Sequence, residues 1–295
     1  MSSSDVGGAT GADPGCVGVV SPGEMGAAVA ASLAGAGHRV LTVLHGRSRA
    51  SAERAQAAGM EALDSLEALV STASIVVSIV PPSAADAVAE ELARAVAGAG
   101  ARPLVVDANA ISPARAHQVA AVLEAAGATF VDGDIIGGPP AVGRPPTRLY
   151  LSGPQAERAA AAVATPELRP VVLEGPAMAA SSLKMAYAGW TKISSALVLT
   201  ARALARSLGV EEALLGEWAH SQPDLVDRCS AGARSAAKAW RFVGEMEEIA
   251  ASQTEAGLPS GFAEAAAEVY ARLAGFKGSP PASVDEVLDR LMAPG

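Results

Sequence analysis

The stretch CVGVVSPGEMG, residues 16–26, decides how the rest of the chain is read. An apolar run, Cys16–Val20, meets a turn at Ser21-Pro22-Gly23, and a helix-like segment, Glu24–Ala36, follows up to Gly37. A glycine-rich turn between a first strand and a first helix is the fingerprint of dinucleotide binding, ordinarily G-x-G-x-x-G. Gly23 and Gly26 hold its second and third glycine places, and Ser21 stands at the first. Gly23 would let the backbone approach a pyrophosphate, and Gly26 would let helix and strand pack closely. The N–H groups of Gly23, Glu24 and Met25 would meet the phosphate charge at the positive end of the helix, with Pro22, which has no N–H, shaping the turn. Ser21 through Gly26 are therefore expected cofactor contacts.

Working outward, strands and helices alternate. Arg39–Leu44 reads as a strand and Arg49–Ala58 as a helix, and IVVSIV (75–80) as a buried strand stopped by Pro81-Pro82. Val80 and Pro81 are expected to border the cofactor there. A helix over 83–97, a strand over 103–107, a helix over 113–126 and a strand beginning at 129 complete the pattern. Alternation on this spacing implies βαβ units with a parallel, doubly wound sheet. Beyond about residue 175 only helices are predicted: 177–208, 211–220, 231–252, 262–274 and 284–291. The expected organisation is a tail (1–14), a Rossmann-type α/β domain (15–175) and an all-α domain (176–295), joined by a long helix.

Composition narrows the function. The 295 residues are 50% hydrophobic with a net charge of −9, enough apolar material for packed cores and no basic stripe for nucleic acid. No apolar run is long enough to span a membrane, and no secretory leader is visible, so a cytoplasmic protein is expected. Cys16 and Cys229 are too few for a disulfide scaffold. His38, His45, His117 and His220 show no metal-ligand spacing, and no metal site is expected. The cluster around Glu245–Glu248 reads as a solvated helix face, and His220 as a surface residue at a helix end.

An NAD site usually carries an acid at the end of the second strand. Here Leu44-His45-Gly46-Arg47-Ser48-Arg49 has none. Two arginines flanking a serine suit a 2′-phosphate, although they also read as a solvated pair opening a helix. NADP(H) is the expected cofactor, through Arg47, Ser48 and Arg49.

Taken in order, Ser21–Gly26, Asp107–Pro113, Asp132–Gly138 and Gly175–Lys184 resemble the β-hydroxyacid dehydrogenases, which include 3-hydroxyisobutyrate and 6-phosphogluconate dehydrogenases. The second half, with SSLKMAYAGWTK and AKAWRFVGEMEEIA, resembles a phosphogluconate-dehydrogenase-like C-terminal domain. The resemblance implies hydride transfer between NADP(H) and a small carbonyl or β-hydroxyacid-type substrate, with Lys184 as general acid/base. Negative charge growing on a carbonyl oxygen needs a positioned proton donor, and an ammonium supplies one. Lys184 is one of only four lysines in a chain that otherwise writes arginine. Asn109 takes a family serine's place and would hold the nicotinamide or a substrate oxygen. Gly137 and Gly138 match a glycine pair whose N–H groups approach the substrate. Ile136 replaces the serine before that pair, which implies a more apolar pocket. The family's asparagine one turn past the lysine is Ala188 here, leaving Tyr187 or Thr191 to supply polar support, with Tyr187 as a rival proton donor. Two alternatives stay open: an imine reductase on the same fold, where Asp or Tyr commonly replaces the lysine, and an NADPH-binding module without turnover. The family also implies a homodimer packed through the C-terminal helices.

Overall fold

The computed structural model describes residues 15–293. The expected tail at 1–14 lies outside them. The chain divides into two compact units. The first runs to Val80 and takes in Ala87–Ala108 and Ala120–Ala177, and the second comprises Pro81–Asp86, Asn109–Val119 and everything from Met178.

In the first unit, β1 (Cys16–Val19), α1 (Glu24–Gly35), β2 (Arg39–Val43) and α2 (Arg49–Ala57) follow one another. Next come β3 (Glu61–Leu63), α3 (Leu66–Thr72), β4 (Ile75–Ser78), α4 (Ala85–Ala99), β5 (Leu104–Asp107) and α5 (Pro113–Ala125), of which α4 through Asp86 and α5 through Val119 fall in the second unit. The series closes with β6 (Thr129–Ile136), β7 (Thr147–Ser152), α6 (Ala156–Val163) and β8 (Leu168–Val172). The eight strands form one sheet in the order β3-β2-β1-β4-β5-β6-β7-β8, parallel except for the β6–β7 pair. Its central strands are continuous valine, isoleucine and leucine runs because helices cover both faces of such a sheet. Val17, Val19, Ile75, Val77, Leu104, Val106 and Val131 make that buried core with Val29 and Leu33 of α1. Strand order reverses direction of growth between β1 and β4, which is where open α/β sheets form a ligand crevice outside the strands' carboxyl ends.

The second unit is helical: α7 (Ala179–Ser207), α8 (Glu211–Ser221), α9 (Asp224–Ser235), α10 (Ala239–Glu255), α11 (Gly261–Leu273) and α12 (Val284–Met292). Leu199 of α7, Met246 and Ile249 of α10, Tyr270 and Leu273 of α11 and Leu288 of α12 share its core. The Tyr270 hydroxyl donates to the Lys192 carbonyl at 2.8 Å, and its ring meets Phe242 edge-on at 5.1 Å. A Cβ on Gly232 would lie 2.7 Å from the Ser195 hydroxyl, so a larger residue where α9 packs on α7 would have to displace that side chain.

The single helix expected over 231–252 is instead broken by a 3-10 turn at Ala236–Lys238, which packs against a second such turn at Ala274–Phe276. The segment is alanine-rich and carries no Pro or Gly at the break, so packing rather than local propensity interrupts it. No described helix is long and apolar enough to cross a membrane.

Candidate functional site

The Ser21–Gly26 turn leaves the carboxyl end of β1 at the crevice. Gly26 is an obligate glycine: a Cβ there would sit 2.1 Å from the Ser21 carbonyl oxygen, a backbone atom that cannot step aside. At Gly23 a Cβ would meet nothing within 4 Å, so this glycine keeps space open beside the backbone. Gly23 is the N-cap of α1 and no side chain caps that helix, so the N–H groups of Glu24 and Met25 face no competing acceptor from their own cap. Ser21 fits the first glycine's place because the turn asks for no left-handed backbone there; among the described residues Met178 is the one non-glycine with positive φ. These features fit a dinucleotide pyrophosphate: a cleared approach, a helix opening without a side-chain cap and a tight strand–helix contact.

Gly46, at φ +71°, turns the chain after β2 and brings Arg47, Ser48 and Arg49 out to the surface. Ser48 caps α2, its hydroxyl accepting the Ser51 N–H at 3.2 Å. Arg49 pairs with Glu53 one turn along. Arg54 was not expected from the sequence. Its Nε donates to the Pro22 carbonyl at 3.0 Å, and an Nη donates to the Ser51 hydroxyl at 3.1 Å. In a trans peptide the carbonyl and the following N–H point oppositely, so this bond turns the Gly23 N–H away from α2. Val80, beyond β4, is buried. Gly137 follows β6 with φ +131°, a conformation for glycine alone, and the Gly138 carbonyl accepts the Thr147 hydroxyl at 2.6 Å. Ile136 is buried as the last residue of β6.

Pro81, Asn109, Lys184 and Tyr187 belong to the second unit. Asn109 is only 3% exposed, and its carbonyl accepts the Ile111 N–H at 2.8 Å. Lys184 lies half-buried early in α7, with buried Ala188 one turn on and Tyr187 46% exposed. The acidic segment of α10 is not the solvated face expected of it. Glu248 is 8% exposed, accepts the Ser112 N–H at 2.7 Å and pairs with Arg115, and Glu245 pairs with Lys192 at 2.6 Å. His220 is exposed in the last turn of α8. Among the described residues, no group of three His, Cys, Asp or Glu is placed to hold a metal ion.

Residues 16–164 match the family described as the NAD binding domain of 6-phosphogluconate dehydrogenase. The chain belongs to that family. Residues 205–273 of this family member match a second family, described as a domain of unknown function (DUF1932). No curated relative matches it. It is similar to a solved conserved protein of unknown function described as structurally similar to 3-hydroxyacid dehydrogenases, at 27% identity and TM-score 0.65 over 90% of this chain and 100% of that one. It also shares its fold with Mycobacterium tuberculosis 3-hydroxyisobutyrate dehydrogenase, at 20% identity and TM-score 0.69 over 95% and 99% of the two chains. The imine reductase of Myxococcus stipitatus, solved with NADP+, aligns at 19% identity and TM-score 0.55 over 94% and 100%. The chain is thus an NAD(P)-binding member of that family, with a fold shared with 3-hydroxyisobutyrate dehydrogenase.

Proposed function

We propose that the protein is an NADP(H)-dependent oxidoreductase acting on a small carbonyl or β-hydroxyacid-type substrate, with Lys184 as its general acid/base. The observation that carries this reading is the Ser21–Gly26 turn, where Gly26 has backbone 2.1 Å from its missing Cβ and Gly23 has open space. When bound, the nicotinamide supplies or accepts the hydride. Glu24 and Met25 N–H groups hold the pyrophosphate, with Ser21, Pro22, Gly23 and Gly26 shaping the approach. Val80, Pro81 and Asn109 border the cofactor toward its nicotinamide. Arg47, Ser48 and Arg49 receive the 2′-phosphate; Arg47 is exposed and, among the described residues, pairs with no carboxylate. The NADP+ in a fold neighbour supports this preference.

Lys184 donates its Nζ proton to the substrate oxygen as negative charge develops there, and in the oxidative direction Nζ receives it. Gly137 and Gly138 N–H groups orient the substrate, and the Asn109 amide holds either the substrate oxygen or the nicotinamide. Copies of the chain pair through the C-terminal helices, a reading supported by an apolar groove of about 1060 Å³ along α7, lined by Met185, Trp190, Ile193, Leu197, Trp218 and Phe262.

The test is NADPH and NADH consumption across β-keto acids, aldehydes and cyclic imines, run beside Lys184→Ala. The expected outcome is carbonyl turnover with NADPH preferred, falling roughly 10²–10⁴-fold in kcat in the variant. The exposed Tyr187 favours one second reading. Imine turnover that survives Lys184→Ala and is lost in Tyr187→Phe would make this an imine reductase. NADPH binding with no turnover, unchanged by either substitution, would replace both readings with a non-catalytic cofactor-binding module.

A further inference from the structure

Arg115, near the start of α5, joins segments of its unit that lie apart in the sequence. Its Nε reaches the two oxygens of Asp86 at 3.1 and 3.2 Å, and one Nη reaches Asp86 at 2.9 Å. The same Nη donates to the Pro82 carbonyl at 2.7 Å. The other Nη pairs with Glu248 of α10. Glu248 uses its second oxygen to accept the Ser112 N–H at 2.7 Å, closing the N-terminus of α5. One guanidinium thus ties segment Pro81–Asp86, segment Asn109–Val119 and helix α10 together, all within the second unit. Burial alone would weaken the cation, but its bonds to Asp86 and Glu248 outweigh that and raise its pKa above the ordinary arginine value.

Two of the tied segments carry Pro81 and Asn109, the residues assigned above to the nicotinamide side of the cofactor. Pro82 follows Pro81 directly, and Ser112 lies on the same short loop as Asn109. We infer that Arg115 is a positioning residue that fixes the Pro81 and Asn109 backbones at one spacing before the cofactor binds. It touches neither cofactor nor substrate. The inference rests on the cofactor reading above. Glu248 is its anchor, because a carboxylate buried to this degree cannot be left without its cation. Lysine cannot replace the arginine, since one ammonium lacks the planar fork that reaches Asp86, Glu248 and the Pro82 carbonyl together. Without the tie, the binding-competent spacing is only fractionally populated, and affinity falls by that fraction.

Calorimetry on the full chain with two probes tests this. NADPH needs the whole cofactor site, whereas 2′-phospho-ADP-ribose keeps the 2′-phosphate and pyrophosphate but lacks the nicotinamide. Arg115→Lys should weaken NADPH about 10-fold or more and leave 2′-phospho-ADP-ribose within about twofold. An equal loss of both probes, or no loss of either, overturns the inference. Should Arg115→Lys fail to fold, Glu248→Gln keeps an acceptor for the Ser112 N–H while removing the ion pair. It should show the same selective loss, and an equal or absent loss overturns the inference there too. A wild-type chain that binds neither probe overturns the cofactor reading itself, and the inference with it.

Discussion

At the scale of single residues, the two glycines of the β1–α1 turn do different work, and the difference is measurable. A methyl at Gly26 would press on the Ser21 carbonyl at 2.1 Å, and α1 would have to move off β1. Gly26→Ala should cost about 1–3 kcal/mol or more of stability and abolish cofactor binding together with it. Gly23 has an ordinary φ of −67° and open space around its Cβ position. Gly23→Ala should therefore melt with the wild type while NADPH affinity falls, because the methyl occupies room the phosphate needs. Thermal melts alongside NADPH titration separate the two, and a Gly23→Ala chain that binds normally would remove this residue from the site. Both glycines are legible in the sequence, since spacing alone marks them. Arg54, Arg115 and Glu248 are not: the Arg115–Glu248 pair joins residues 133 apart, and nothing local announces it. An acidic run on a helix reads as solvated until the partner helix is known.

At the scale of elements, legibility follows length and period. β1, α1, β2 and β4 are long enough to show their patterns, and their observed bounds lie close to the expected ones. β3 has three residues and α3 seven, too short for any period to emerge. β7 did carry a signal, with Thr147, Leu149 and Leu151 buried and Arg148 exposed between them, a period of two beyond the proline-rich loop. The junction of α7, α8 and α12 adds a charge cluster to its apolar packing. Arg206 bonds both oxygens of Glu211, Arg202 bonds one of them, and Arg206 also pairs with Asp285. The hydrogen bonds from Arg206 lead in holding the Glu211 carboxyl at about 2, below its ordinary 4.5, against the opposing effect of burial. A carboxyl lowered on folding stabilises fully above its ordinary value and loses that contribution as pH falls through its folded value. Glu211→Gln should cost about 1–2 kcal/mol at pH 7, with the gap to wild type closing between pH 4.5 and 2. A gap that stays constant across that range in denaturant titrations would contradict the assignment.

At the scale of the whole molecule, α7 presents Trp190, Leu197 and Leu204 outward, joined by its C-cap Leu208, and Trp190 is 65% exposed. Spacings of seven, seven and four residues place these side chains on one stripe of a helix. Phe262, 72% exposed, opens α11 beside the same groove. Such an apolar stripe argues for a covering partner, and the proposed partner is a second copy of this chain. Light scattering after size exclusion should give twice the chain mass. Trp190→Glu combined with Leu197→Glu should give monomers of unchanged helical content. A monomeric wild type would sink the homodimer.

The ends of the sheet bear on the same question from another side. A sheet that stops exposes unpaired N–H and C=O groups, and a second molecule can add its own strand there. β3, at one margin, has three residues and holds Glu61 in an ion pair with Arg39. β8, at the other, contains Pro170, which has no N–H to offer, beside Arg169. Neither margin is a template for a further strand. The protein is thus guarded against fibre-like growth through its sheet, and the helical stripe on α7 stays the surface proposed for pairing.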